Sequence, residues 1–416
     1  MIKFFLVIYN ILFTLFLPLI VFIVLLSSTY RKEILYKLSE RFAIYKLPNK
    51  NLKKTFWIHC ASLGEIRAVE PILDSFKDKY YIVLTSVTKS GREYAQKLQK
   101  ADFVALFPLD IHPIMSKAFN IIKPDMLVLV ETELWPNMLY VAAHKKVKII
   151  TINGRISNKS FKVYKKLKFF WNKFVGLINV FVARSKDDVD RFTFFANEKN
   201  KITISGNIKY DKNFKLNFKR KDLFLREEDF AFTAGSTRTG EEEIIIDVYN
   251  KISSTFNNIK FFVAPRHISR INNLIKILED NHIKYSLFSE GFCSNRFILV
   301  DIFGKLQSIY AVSDVCFIGG SIVNKGGQNP IEPAAYAKPV LFGKNMDNFK
   351  IESEILIKYG GALVVKDADD LADKLKRFIS DKEFLKDTAL KAFKAVMSQK
   401  GAVAFTIKQI EENLNA

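Results

Sequence analysis

Short apolar runs alternate with amphipathic stretches along almost all of this chain, and that alternation most restricts its fold. A first series lies at residues 55–60, 81–87, 103–107, 126–130, 147–152, 180–183 and 202–205. A second begins near Phe230, at 230–234, 260–264, 297–300, 315–318, 339–342 and 362–365. Continuous apolar runs of this length read as strands buried on both faces, as in parallel sheets. After the first run, residues 65–79 place Ile66, Val69, Ile72, Leu73 and Phe76 close to a helical period. Strand–helix alternation builds parallel sheets covered by helices. The expected fold is therefore α/β: two Rossmann-like, doubly wound domains facing a cleft, with ligand loops at the carboxyl ends of the strands. The polar, charged residues 210–228 read as the linker, and 382–416 as a helical segment covering a domain face. The boundaries that follow are 1–30, 31–212 and 213–416.

The first of these segments is of another kind. Residues 4–26 are apolar except for Tyr9, Asn10 and Thr14. At about 1.5 Å per residue such a helix crosses a bilayer core. The run is longer than a signal peptide's apolar region, and no small-residue cleavage pattern follows it. It reads as an uncleaved signal-anchor, one transmembrane helix. Arg31, Lys32, Lys37 and Arg41 come next. By the positive-inside rule they place the body on the cytoplasmic side, and they suit anionic lipid headgroups. The net charge of +21 likewise favours polyanionic partners. Cys60, Cys293 and Cys316 are widely spaced and form no C-x-x-C pair. They read as free thiols in a reducing compartment, which excludes a disulfide scaffold and a paired-cysteine zinc site.

Chemistry-bearing residues gather where apolar runs end. The segment 319–343 is a glycine-rich loop, a helix start at Asn329-Pro330, and another apolar run. Such a loop either exposes backbone N–H groups to an anion, with Glu332 in the first turn suited to a ribose, or is an ordinary βα turn whose glycines allow tight packing. Glu65 opens a helix behind Gly64, where the dipole favours a carboxylate, for capping or for chemistry. Glu131 and Glu133 precede Trp135-Pro136 at another strand end. Lys209 closes the first domain, either facing the cleft or as an ordinary surface lysine. In the second domain Ala234–Glu243 again joins strand to helix, Arg266 follows a strand with a side chain suited to phosphate, and Gly304-Lys305 precedes a helix. Together these loops suit a nucleotide.

The motifs ASLGE, ETELWPN, NGRIS, SGNIKYD, APRH and GGSIVNKGGQNPIEP, in this order, resemble the lipid A Kdo transferases (Kdo is 3-deoxy-D-manno-octulosonic acid). The resemblance covers nearly the whole chain. It implies a GT-B fold and transfer of Kdo from CMP-Kdo to a lipid A precursor, lipid IVA, at the cytoplasmic face of the inner membrane. It implies Glu65 as general base, with Glu131 and Lys209 stabilising the transition state. CMP recognition maps onto Pro265, Arg266, Gly304, Lys305, Leu306, Asn329, Pro330, Ile331 and Glu332. The chain departs from the family at Leu63 (often Val), Gln328 (often His) and Ile268 (usually Pro). None of these removes an implied group. No D-x-D pair accompanies the nucleotide motifs, so neither metal nor cofactor is expected. An inverting glycosyl transfer passes through an oxocarbenium-like state, and its acceptor hydroxyl needs a positioned base. A GT-B transferase using a UDP-sugar and a lipid acceptor is the alternative within enzymes. A membrane-tethered polyanion binder is the alternative outside them, although the aromatic-and-glycine signatures of RNA modules are missing and no nucleic-acid partner is expected.

Overall fold

The computed structural model describes residues 2–50, 52–197, 200–211, 219–223, 225–291 and 295–415. Cys293 and part of the expected linker lie outside them. The chain divides into two compact units, Met1–Lys212 with Lys400–Ala416, and Asn213–Gln399.

The first unit holds β1 (Thr55–Cys60), β2 (Tyr81–Ser86), β3 (Phe103–Leu106), β4 (Met126–Val130), β5 (Lys148–Gly154), β6 (Val180–Ala183) and β7 (Lys201–Ile204). They form one parallel sheet in the order β3-β2-β1-β4-β5-β6-β7. Every residue of β1, β2 and β4 is buried. That is why their sequences read as unbroken apolar runs rather than alternating ones. The helix Leu63–Phe76 turns Ile66, Val69, Ile72, Leu73 and Phe76 into this core. Each such side chain contributes roughly 2 kcal/mol by leaving water. β1 and β4 pair directly, His59 opposite Leu129, so the chain leaves the sheet at two neighbouring points where the strand order reverses.

The second unit holds β8 (Phe230–Thr237), β9 (Ile259–Pro265), β10 (Tyr285–Leu287), β11 (Phe297–Leu299), β12 (Val315–Ile318), β13 (Val340–Phe342) and β14 (Ala362–Val364). They are again all parallel, in the order β10-β11-β9-β8-β12-β13-β14. Here the order reverses between β8 and β12. The three-residue edge strand β10 was not expected, because Tyr-Ser-Leu is no apolar run.

Four sequence expectations need correction. The tail splits at Gly401, whose φ of 111° stops the helix Lys382–Met397 from continuing into Ala402–Asn415. The last helix belongs to the first unit, not the second. Its Ala402 and Ile410 are buried among Phe56, Ile66, Val69 and Val128.

A helix does form over Ile2–Leu26, yet among the described residues no helix is long and apolar enough to cross a membrane. The first turns of this helix pack on the protein itself. Leu6 is buried, and Ile2 and Phe5 pack on the core. Asn10 donates to the Leu6 carbonyl (2.8 Å) and exchanges amide hydrogen bonds with Asn137 (3.0 and 3.1 Å). Finally, Arg41 is not a surface charge. It is buried and donates to the Val87 carbonyl at 3.1 Å.

Candidate active site

Glu65 sits in the first turn of the helix that follows β1. Its carboxylate folds back over the turn. The Ala61 N–H donates to Oε2 at 2.6 Å and the Ser62 hydroxyl to Oε1 at 3.0 Å. These donors favour the ionised form, but burial disfavours it more strongly, and so do the charges of Glu131 and Glu133. The net effect pushes Glu65 up from the ordinary carboxylate range to about 7. A carboxyl group balanced near neutrality, with a fixed orientation, is suited to take up a proton.

Glu131 follows β4, adjacent to β1 in the sheet. Its φ is 63°, a left-handed conformation that a non-glycine residue adopts at a cost of about 1–3 kcal/mol. Its own N–H donates to the Ile152 carbonyl at 3.0 Å, which anchors the turn to β5. The Lys209 ammonium donates to Glu131 Oε1 at 3.2 Å, so these two expected residues form an ion pair. Lys209 is presented by the short 3-10 turn Ile208–Asp211. That turn is fixed by Asn153, whose Oδ1 accepts from the Ile208 N–H at 3.2 Å. Glu65, Glu131 and Lys209 thus gather at the reversal point of the first sheet, where open α/β sheets bind ligands. The cluster also includes Glu133, His59 and Cys60. Burial and the three carboxylates push the Cys60 thiol well up, so it is no nucleophile.

The second unit's expected residues lie on loops at the carboxyl ends of β9, β11 and β12. Pro265, Arg266, Gly304 and Leu306 line one hollow, together with Ser236, Phe303 and others. Phe303 is 73% exposed at its rim. Arg266 is fixed by its N–H, which donates to the Thr237 carbonyl at 3.0 Å, and its side chain is exposed. Lys305 is also exposed and follows Gly304, whose φ of 85° makes the turn. Asn329 to Glu332 do not line that hollow. They form a turn of their own, in which Asn329 Oδ1 accepts from the Ile331 N–H (3.1 Å) and its amide donates to Glu332 (3.4 Å).

The glycine loop follows the tight-packing reading rather than the anion-pocket one. Its N–H groups at Gly320, Ser321 and Ile322 donate to the Glu241 carboxylate, at 2.6, 2.9 and 3.0 Å. The protein supplies its own anion there, fully buried. A Cβ on Gly319 would run into the Ser236 carbonyl, so that glycine permits β8 and β12 to close together rather than a ligand to approach. Sequence reasoning missed Glu241 because three consecutive acids at a helix start read as dipole complements. It also missed the Arg238–His267 contact (2.8 Å) beside the hollow.

Residues 36–212 match the family described as 3-deoxy-D-manno-octulosonic-acid transferase (kdotransferase). The chain is 32% identical over 340 residues to the 3-deoxy-D-manno-octulosonic acid transferase of Aquifex aeolicus, covering 81% of this chain and 89% of that protein. It is 36% identical over 333 residues to a bifunctional glycosyltransferase/methyltransferase of Fusobacterium nucleatum, covering 74% of this chain. The match spans only about half of that relative, 51% of its length. Among solved structures, the UDP-GlcNAc 2-epimerase of Neisseria meningitidis aligns with a TM-score of 0.62 at 12% identity, over 86% of this chain and all of that one, a likeness of fold alone. With that identity to the Aquifex protein over most of both lengths, this chain belongs to the 3-deoxy-D-manno-octulosonic acid transferase family of glycosyltransferases.

Proposed function

We propose that the chain transfers Kdo from CMP-Kdo to lipid IVA in lipopolysaccharide biosynthesis, with inversion at the anomeric carbon and Glu65 as general base. The observation that carries this reading is the state of Glu65, a fixed and largely buried carboxylate whose proton affinity is raised to about 7. In the reaction the ionised carboxylate takes the proton of an acceptor hydroxyl. The hydroxyl oxygen bonds to the anomeric carbon, and the bond from that carbon to the CMP phosphate breaks, with the electron pair leaving on CMP. Lys209, paired with Glu131, offers a cation to charge that develops during transfer. On this reading the nucleotide is held in the second unit, with Arg266 and Lys305 toward phosphate and the turn Asn329–Glu332 toward the ribose.

Association with the membrane belongs to the same proposal. Phe4, Val7, Ile11, Leu15, Phe16 and Leu19 on the first helix are exposed. Phe5 meets Phe169 and Phe170, so this helix adjoins the consecutive helices Asn158–Lys166 and Lys168–Val175, which expose Lys159, Lys162, Lys165, Lys166, Lys168 and Lys173. An apolar face beside a lysine field matches a cytoplasmic leaflet with anionic headgroups.

Purified protein, CMP-Kdo and lipid IVA, with the product weighed by mass spectrometry, test donor, acceptor and number of transfers together. Addition of one or more Kdo masses supports the reading. Turnover with UDP-sugars and none with CMP-Kdo would overturn the donor. Salt-dependent polyanion binding without any transfer would overturn the activity.

A further inference from the structure

We propose that Asn153 is the positioning residue for the Glu131–Lys209 pair: from a bulge at the end of β5 it orients the turn that presents Lys209, while the carbonyl just before it holds Glu131. The inference rests on the reading of that pair as stabilising the transfer.

Asn153 opens the NGRIS motif and is wholly buried. Thr151 and Gly154 of β5 lie opposite Phe181 and Ala183 of β6, three steps against two, so β5 carries one extra residue there. Such a bulge re-aims the groups it displaces. The Asn153 backbone takes a φ of 50°, the left-handed region that asparagine tolerates better than most residues. The Ile152 carbonyl before it accepts from the Glu131 N–H at 3.0 Å. The Asn153 side chain reaches the turn Ile208–Asp211, where its Oδ1 accepts from the Ile208 N–H at 3.2 Å. A backbone N–H can only donate, which assigns the oxygen to that side of the amide. The amide nitrogen is buried and has no partner among the described residues, so the Ile208 bond is the side chain's single polar tether.

The contacts close into a ring. β5 holds Glu131 through Ile152 and the turn through Asn153, and the two meet where the Lys209 ammonium donates to Glu131 Oε1 at 3.2 Å. Asn207 braces the same turn, its Oδ1 accepting from the Lys209 N–H at 3.1 Å. Ile208 is itself buried in the core with Ile150, Ile152 and Val182. Apolar burial has no direction, whereas a hydrogen bond does. Burial therefore keeps the turn on the sheet, and the Asn153 bond sets which way it faces. Lys209 follows Ile208 directly, so the base of its flexible side chain moves with the turn.

The test starts from Asn153→Gly, which keeps the left-handed backbone and removes the acceptor. In the substrate-free full chain, competitive acetylation read by mass spectrometry should label Lys209 severalfold faster, relative to the other lysines, than in the parent. With CMP-Kdo and lipid IVA, kcat should fall roughly tenfold while KM for CMP-Kdo stays within about threefold, as expected for a displaced charge that acts in the transition state. Added to Lys209→Ala, the same substitution should lower kcat no further, because its effect passes through that ammonium. Asn153→Asp keeps an acceptor and tolerates the left-handed backbone, and it should hold labelling and kcat close to the parent. Asn153→Ser, whose oxygen sits one bond shorter, serves where the glycine variant does not fold. Unchanged Lys209 labelling, or equal losses of kcat with and without Lys209, overturns the proposal. Full turnover in Lys209→Ala sinks the reading of the pair itself. An inactive Lys209→Ala beside a fully active Asn153→Gly sinks only the role of Asn153.

Discussion

At the scale of single residues, the protein tolerates an unfavourable arrangement where chemistry would need it. Glu65 is held near two other acids, and its raised proton affinity means that the native state binds a proton more tightly than the unfolded chain does. The native state therefore loses stability relative to the unfolded one as pH rises from about 4.5 to about 7. Replacing the carboxylate with its neutral isostere removes that cost. Glu65→Gln should raise stability by about 2 kcal/mol at pH 8 and leave it nearly unchanged at pH 4, read from urea denaturation at the two values. The same variant should abolish transfer. In the parent enzyme kcat/KM should rise with pH through about 7, as the base loses its proton. The residues of this cluster were legible in the sequence because each stands where an apolar run stops. Their states were not, since the proton affinity of Glu65 depends on its burial in the fold and then on Glu131 and Glu133, more than sixty positions away.

At the scale of elements, strands buried on both faces were visible as apolar runs, and helices as periodic ones. Short edges and internal ligands were hidden. β10 has three residues and no distinctive pattern. Glu241 is the sharper case: it binds N–H groups of Gly320, Ser321 and Ile322 from some eighty positions earlier, and the Arg238 N–H as well. Local reading of a Gly-Glu-Glu-Glu helix start cannot show a carboxylate that serves another loop. Removing it would strand several buried donors at a cost of about 1–3 kcal/mol each. Glu241→Ala should therefore destabilise the second unit by about 4 kcal/mol or more, measured as a fall in the urea midpoint. It should also disorder the loop that leads to Asn329 and weaken nucleotide binding, measured by calorimetry.

At the scale of the whole molecule, the net charge of +21 and the exposed apolar face of the first helix act together. The protein should sediment with vesicles containing anionic phospholipid, less so as salt rises. Leu15→Glu with Phe22→Glu should abolish that binding while leaving the fold intact, since both side chains are exposed. The chain leaves the first unit at Lys212 and returns to it at Lys400. Asp211 marks the junction, accepting from the N–H groups of Gly401 and Val403 at 2.7 and 2.5 Å. A fragment ending at residue 212 should consequently bind a hydrophobic dye, and a peptide of residues 400–416 should suppress that fluorescence. The order of synthesis follows from this path. A ribosome completes the first sheet long before it makes the helix that covers it, and the second unit emerges in the meantime. The first unit thus waits, with an open apolar surface, for nearly two hundred further residues to be translated, and any factor that guards nascent chains would find its target there.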